Sequence, residues 1–269
     1  MTRGSRAQTA KSAWVTGALL LALYAPSRSL AQRPDGAGQD SISKTAAGLL
    51  NSGRGNEARI LLQKNVRSAT APPLRALYRL RIGDTYLHDG MYPEAIRVYD
   101  AVLSGDDARG VDSLTSWAHR GLGLAEAFAG RRTQAAAHFA EAFKTPSDPQ
   151  YALSDSIDML VATGQYDAAS KALDRMEATV TDAAGQQYVQ SFRALNTVLS
   201  GHCTAALETL KKVPDQNRPM PRTVRGRCAS KHGQKAEALA LRDSVLRQPM
   251  ADPFSWRMLI VRDAARAIR

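Results

Sequence analysis

Small and large apolar residues recur along the chain at fixed distances from a series of glycines. An alanine follows each glycine by five residues, and a large apolar residue follows by nine in all but the last case. The glycines are Gly53, Gly90, Gly130, Gly164, Gly201 and Gly233; the alanines are Ala58, Ala95, Ala135, Ala169, Ala206 and Ala238; the large residues are Leu62, Tyr99, Phe139, Leu173 and Leu210, with Arg242 in the sixth place. Because positions four residues apart share one face of an α-helix, the pattern predicts a helix after each glycine.

A helix-length run also precedes each of these glycines, so the chain is predicted to form helix–turn–helix pairs. Glycine adopts the left-handed conformation that ends a helix without a steric penalty. The predicted pairs lie near 42–51/55–68, 73–89/92–104, 112–129/132–144, 149–163/166–179, 183–199/203–213 and 220–232/235–247. Each pair leaves a face bare for the next pair to cover, which is the arrangement of a helical repeat protein.

The segment 79–102 carries the most complete version of this pattern, with Ile82-Gly83, Tyr86, Gly90, Tyr92, Ala95, Tyr99 and Val102 at regular offsets. These residues resemble the tetratricopeptide repeat. Segments 119–142 and 150–176 keep part of the pattern, and the other units keep mainly glycine and alanine. The resemblance implies an all-α, right-handed superhelical solenoid of about six repeats over residues 41–252, with a C-terminal capping helix at 253–269.

That last helix shows two faces. Its apolar residues, Trp256, Ile260, Ala264 and Ile268, fall on one side, and its basic residues, Arg262, Arg266 and Arg269, fall on another. We expect the apolar side to cover the last repeat and the charged side to face water, as in a terminal cap. The alternative is a basic amphipathic helix that lies on an anionic membrane.

The N-terminus has the organisation of a signal peptide. Arg3, Arg6 and Lys11 precede the apolar run 13–25, and Ser29-Leu30-Ala31 provides small residues for cleavage. We therefore predict a signal peptide at 1–31 with cleavage near Ala31, a flexible mature N-terminus at 32–40, and export to the periplasm or the exterior. The apolar run is short for a transmembrane helix, so the protein is not expected to be integral to a membrane.

Composition and charge narrow the classes of partner. Apolar residues make up 44% of the chain and aromatic residues 6%, a balance that favours closely packed helices over a β-sandwich. The net charge is +11, but the predicted signal peptide carries four basic residues and no acidic one, which leaves +7. Export and this smaller charge argue against nucleic acid as a partner.

The first helices of such pairs line a concave groove in the tetratricopeptide family. One column of this sequence, thirteen residues before each glycine, holds Leu77, Trp117, Tyr151, Tyr188 and Met220, and further candidates by offset are Asp84, His88, Arg120, Asp158 and Arg227. Planar aromatic rings bind an extended peptide or a glycan at little entropic cost. The alternative is that the aromatic column packs as core against the preceding unit.

The remaining chemistry is sparse. The five histidines are scattered without a metal-binding spacing, and no nucleophile motif or phosphate-binding loop is present. No cofactor, metal or catalytic residue is therefore predicted. Cys203 and Cys228 are the only cysteines, and antiparallel helices would bring them close enough for a disulfide in an oxidising compartment. Two buried free thiols are the alternative.

These observations favour a non-enzymatic scaffold that holds a protein or peptide segment in its groove. Two other classes stay open: an envelope polysaccharide-processing or glycan-binding protein built on a helical solenoid, and an assembly factor at a membrane surface. The sequence specifies neither the partner nor the oligomeric state.

Overall fold

The computed structural model describes residues 41–145, 149–250 and 252–269, with only the backbone of residues 149–151. Thirteen α-helices account for most of these residues. They are α1 (Ser41–Asn51), α2 (Gly55–Ser68), α3 (Pro72–Asp89), α4 (Tyr92–Ser104), α5 (Asp112–Phe128), α6 (Arg132–Ala142), α7 (Pro149–Ala162), α8 (Tyr166–Glu177), α9 (Ala183–Leu199), α10 (Cys203–Leu210), α11 (Pro219–Lys231), α12 (Lys235–Arg247) and α13 (Trp256–Arg266), with a 3-10 turn at Asp106–Ala108 between α4 and α5. The described part of the chain contains no strand, so the all-α prediction is confirmed.

The predicted glycines end the first helix of every pair. Gly130, for example, has φ 81°, and the amide of the next residue, Arg131, donates to the carbonyl of Glu126 at 2.8 Å. This is the hydrogen bond of a Schellman-type helix end, which satisfies a carbonyl that the helix leaves free. The same bond recurs after each of the other five column glycines. The turns therefore follow from a local property of the backbone.

The alanine and large-residue columns form the core between the helices. All six alanines are completely buried, and Leu62, Tyr99 and Leu173 are buried as well. Tyr99 of α4 shows the packing in detail, because its ring lies against two helical glycines, Gly83 of α3 and Gly121 of α5. A large side chain from the second helix of a pair thus fills the space that glycines leave in the first helices.

The pairs stack in chain order. The two helices of each pair pack on one another, and first helices of successive pairs also touch, as α1 with α3, α3 with α5, and α9 with α11. The first helices lie along one surface, which we call the groove; α1, α3, α5 and α7 touch in order, as do α9 and α11. This arrangement is that of tetratricopeptide-like hairpins; the hand of the superhelix stays a prediction.

The C-terminal helix differs from the predicted cap. α13 packs on the last pair, α11 and α12, but it also contacts α3, α5 and α7. Its predicted basic residues differ in exposure: Arg262 is only 7% exposed and donates to the carbonyl of Leu246 at 3.0 Å, Arg266 is half-buried, and Arg269 is exposed. The expectation of a charged side that faces water is therefore wrong for Arg262, whereas the apolar side covers the last repeat as expected. A helix that crosses the groove is enclosed from several sides, so even its polar positions become buried.

Three predictions fall outside the described residues. They are the signal peptide at 1–31, the flexible stretch 32–40 and the side chain of Tyr151. Among the described helices, none is both long and apolar enough to cross a membrane.

Candidate partner-binding groove

The groove is occupied by the protein's own C-terminal segment, which we define as residues 252–269. Three side chains near its start, Phe254, Trp256 and Arg257, contact the groove directly. Beyond them, α13 buries Leu259, Val261, Ile260 and Ile268 in the main hydrophobic core. The groove thus holds a peptide that begins as an irregular turn and continues as a helix.

The first contact site receives Phe254. This ring is 6% exposed and joins a cluster with Tyr78 and Ile82 of α3. The Arg81 guanidinium lies 4.5 Å from the Phe254 ring centre and 4.4 Å from that of Trp117. A cation between two aromatic faces gains electrostatic attraction from both rings. Arg81 therefore links the groove wall to the segment.

Trp117 lies between the segment and a buried carboxylate. Its ring meets Trp256 edge to face, with centroids 6.4 Å apart, and its Nε1 donates to Asp84 Oδ1 at 3.4 Å. The same oxygen accepts a hydrogen bond from the Tyr99 hydroxyl at 2.7 Å. Trp117 is thus half-buried, and Asp84 beneath it fixes the orientation of its ring. It is neither fully exposed in the groove nor fully buried in the core.

Asp84 is a fully buried acid whose position makes it a support for the groove, not a contact surface. Burial raises the pKa of its carboxyl to about 6, against the opposing effects of the nearby Arg81 guanidinium and of hydrogen bonds from Tyr99 and Trp117. A carboxyl with no solvent access cannot reach a partner, so its predicted place on the groove surface is not what the structure shows.

The second contact site receives Arg257. Its guanidinium stacks on the Tyr188 ring of α9 at 4.0 Å, and its Nε lies 3.8 Å from Asp158 Oδ1 of α7. Burial raises the pKa of Asp158 to about 7, and neighbouring Asp155 adds to this, while Arg257 and Arg120 oppose it. An aromatic face beside a carboxylate is a site suited to a cation.

Arg120 connects the two contact sites. It donates to Asp155 at 2.7 Å and lies over the Trp256 ring at 4.9 Å. A cavity of about 20 Å³ adjoins Arg120, Asp158 and Trp256. That is room for a water molecule and far too little for a sugar or a cofactor.

Two further predicted residues hold the end of α13. Arg227 of α11 donates to the carbonyl of Ala264 at 3.0 Å. The backbone carbonyl of His88, at the end of α3, accepts a hydrogen bond from Arg266, and burial lowers the pKa of the His88 ring. In the same region, the Tyr92 hydroxyl donates to Asp263. The segment is therefore bound at both ends.

The predicted column does not behave uniformly. Trp117 and Tyr188 contact the segment, whereas Leu77 is 2% exposed and Met220 is 9% exposed, both inside the main core. Leu77 therefore belongs to the core and not to the groove surface. The alternative that the column packs as core holds for these two aliphatic residues.

Sequence reasoning missed three contacts. Arg81 and Arg257 were not singled out, nor was Asn51 of α1, whose side-chain amide both donates to the Met250 carbonyl at 2.8 Å and accepts from the Met250 amide at 2.9 Å. A signal was present in the run Phe254-Ser255-Trp256-Arg257, where two aromatic rings and a cation precede an amphipathic helix.

The cysteines lie together as free thiols. Both are buried, the Cys228 sulfur is 3.7 Å from the Cys203 carbonyl oxygen, and burial raises the pKa of the Cys228 thiol to about 12. The disulfide stays a prediction. Elsewhere among the described residues, no three His, Cys, Asp or Glu side chains converge as a metal site would require.

Comparison with known proteins adds little. No family model matches the chain, and no curated protein matches it in sequence. A solved tetratricopeptide repeat protein from Parabacteroides merdae is 14% identical, with a TM-score of 0.39, over 84% of this chain and 97% of that one. A similarity this weak carries no functional inference. The structure itself shows six helical hairpins that each turn at a glycine with positive φ, as the resemblance to tetratricopeptide repeats predicted.

Proposed function

We propose that this protein is a non-enzymatic scaffold, exported to the periplasm or the exterior, that binds a segment of a protein partner in the groove. The observation that carries the proposal is the way the groove holds residues 252–269. Three different first helices bind this segment through aromatic and guanidinium contacts, which come from Arg81, Trp117, Arg120 and Tyr188. Such residues dominate protein recognition because they bury large area at little entropic cost.

The geometry favours binding over catalysis. The groove acids that could act as general acid or base, Asp155 and Asp158, face arginines, and with Trp256 in place the adjacent cavity admits no substrate larger than water. While α13 is bound in the groove, its arginines are poorly placed for a membrane surface, because Arg262 is buried and Arg266 is half-buried. A protein segment fits the groove better than either a glycan or a lipid surface.

The test is affinity capture from a cell-envelope fraction with matched baits. Wild type, Tyr188→Ala and Ile60→Ala would be immobilised in equal amounts, and captured proteins quantified by mass spectrometry. Ile60 is 55% exposed on α2 and belongs to neither hydrophobic cluster that contains a residue of the segment, so it is the control. We expect one partner to be retained by wild type and Ile60→Ala and lost by Tyr188→Ala, with unchanged circular dichroism. Equal recovery on all three baits would contradict binding in the groove.

A further inference from the structure

We propose that residues 252–269 are an exchangeable intramolecular ligand, and that the partner is a protein segment with the same pattern. That pattern is an aromatic residue, a tryptophan two residues later, an arginine directly after it, and then an amphipathic helix. The inference rests on the proposed groove function and adds to it the chemistry of the partner and the way access is controlled.

Each element of the pattern has its own contact site. Phe254 enters the cluster under Arg81, Trp256 lies between Trp117 and Arg120, and Arg257 stacks on Tyr188 near Asp158. The sites come from α3, α5, α7 and α9, so the three residues of the pattern bind in order along successive pairs. A competing segment must place the same chemical groups at the same spacing to gain these contacts.

The second and third hairpins have core packing of their own that does not involve the segment. Tyr99, which fills the space between α3, α4 and α5, is enclosed by Gly83, Gly121 and Asp84. Phe139 similarly packs against Gly123 within the α5–α6 pair. Because these two pairs have such a core, the start of the segment can leave α3 and α5 without unfolding them.

The polar groups at the segment–groove contact are incompletely paired. Within the described residues, four buried nitrogen atoms that make no hydrogen bond lie at this contact: Nε of Arg81 and of Arg120 on the groove side, and Nε1 of Trp256 and Nη1 of Arg266 on the segment side. Burying a polar atom without a partner costs free energy that exposure to water recovers. This cost opposes the burial of the apolar face of α13 and favours opening of the segment in preference to the hairpins.

Self-occupancy controls affinity. A partner binds only those molecules in which the segment has left the groove, so its apparent association constant is proportional to the fraction of open molecules. Weakening the segment's own anchors should therefore raise affinity for an added segment of the same sequence. Such a rise in affinity is expected for an exchangeable ligand and not for a segment that is a permanent part of the core.

The experiment uses the full chain and a synthetic, labelled peptide with the sequence of residues 252–269. Hydrogen exchange followed by mass spectrometry compares amides 259–265 of α13 with amides 118–125 of α5. In wild type we expect α13 to exchange at least about tenfold faster than α5. Phe254→Ala should accelerate only α13, by a further factor of about ten, and should bind the peptide about tenfold more tightly than wild type.

Two controls keep the result interpretable. A peptide with alanine at the positions of Phe254, Trp256 and Arg257 should not bind, and Ile60→Ala should leave both exchange and binding unchanged. If Phe254→Ala does not fold, Phe254→Leu makes the same test with a smaller change in volume.

The failures of the two proposals are distinguishable. Exchange of α13 and α5 at one common rate, in wild type and variant alike, would overturn the exchangeable ligand. If Tyr188→Ala still lost a partner that wild type and Ile60→Ala captured, that partner would bind beside the segment and not in its place. A segment that opens in a protein that never binds the peptide would refute the groove as a peptide site and both proposals with it.

Discussion

Replacing Gly121 by alanine tests how the repeats are packed. Gly121 lies in α5, and a Cβ there would come 2.4 Å from Cζ and 2.5 Å from Cε1 of Tyr99. On the other side of the ring, a Cβ on Gly83 would be 2.6 Å from Cε1. The ring is thus enclosed from both sides, and its hydroxyl is held by Asp84 at 2.7 Å. It has no free direction in which to move.

The magnitude follows from two opposing effects. Carbon atoms pack at about 3.5–4.0 Å, so the new Cβ demands a displacement of about 1 Å. Overpacking of a core costs about 1–3 kcal/mol, and enclosure on both sides favours the upper value. Alanine regains about 1 kcal/mol through its better helix propensity. We therefore expect Gly121→Ala to lower the free energy of unfolding by about 2 kcal/mol.

The assay is urea unfolding followed by circular dichroism, with Gly48→Ala as matched control. Gly48 also lies inside a helix, α1, but a Cβ there meets no atom within 4 Å. Gly48→Ala should therefore raise stability by up to about 1 kcal/mol. Adding Tyr99→Leu should remove most of the cost of Gly121→Ala, which a double-mutant cycle measures. A Gly121→Ala variant as stable as Gly48→Ala would refute the packing described for Tyr99.

Three further outcomes can be measured. Because the pKa of Asp84 is raised from 3.8 to about 6 in the folded protein, the unfolded chain loses this proton at lower pH than the folded one. In urea titrations the stability of wild type relative to Asp84→Asn should therefore fall by as much as about 3 kcal/mol between pH 4 and pH 7. A difference in stability that does not change with pH would contradict this. Asn51→Ala removes both hydrogen bonds to the Met250 backbone and should lower the unfolding free energy by about 2 kcal/mol, whereas no loss would mean the contact contributes nothing. For Cys203 and Cys228, the mass of protein purified without reductant should rise by about 2 Da on reduction; an unchanged mass would leave them as free thiols.

Much of the fold could be predicted because it depends on neighbours in the chain. The glycine at each turn, the alanine five residues later and the large residue nine residues later act within one hairpin, over distances that helix geometry fixes. Their spacing therefore predicts which residues pair, and the structure places Ala95, Tyr99 and Phe139 in the core as expected. The sequence by itself thus determined the all-α class, the helix bounds to within a few residues and the six-pair order.

The occupant of the groove was decided only by tertiary structure. Arg81 and Phe254, or Asn51 and Met250, are distant in sequence, and no periodicity relates one to the other. The amphipathic pattern showed that α13 has an apolar face, but a hydrophobic period of 3.6 residues does not show which surface that face packs against. α13 packs on the last pair, as expected, but its position also depends on the contacts of Phe254, Trp256 and Arg257 across α3, α5, α7 and α9, which the pattern did not show. Local pattern determines which elements form, whereas long-range complementarity determines where the last of them binds.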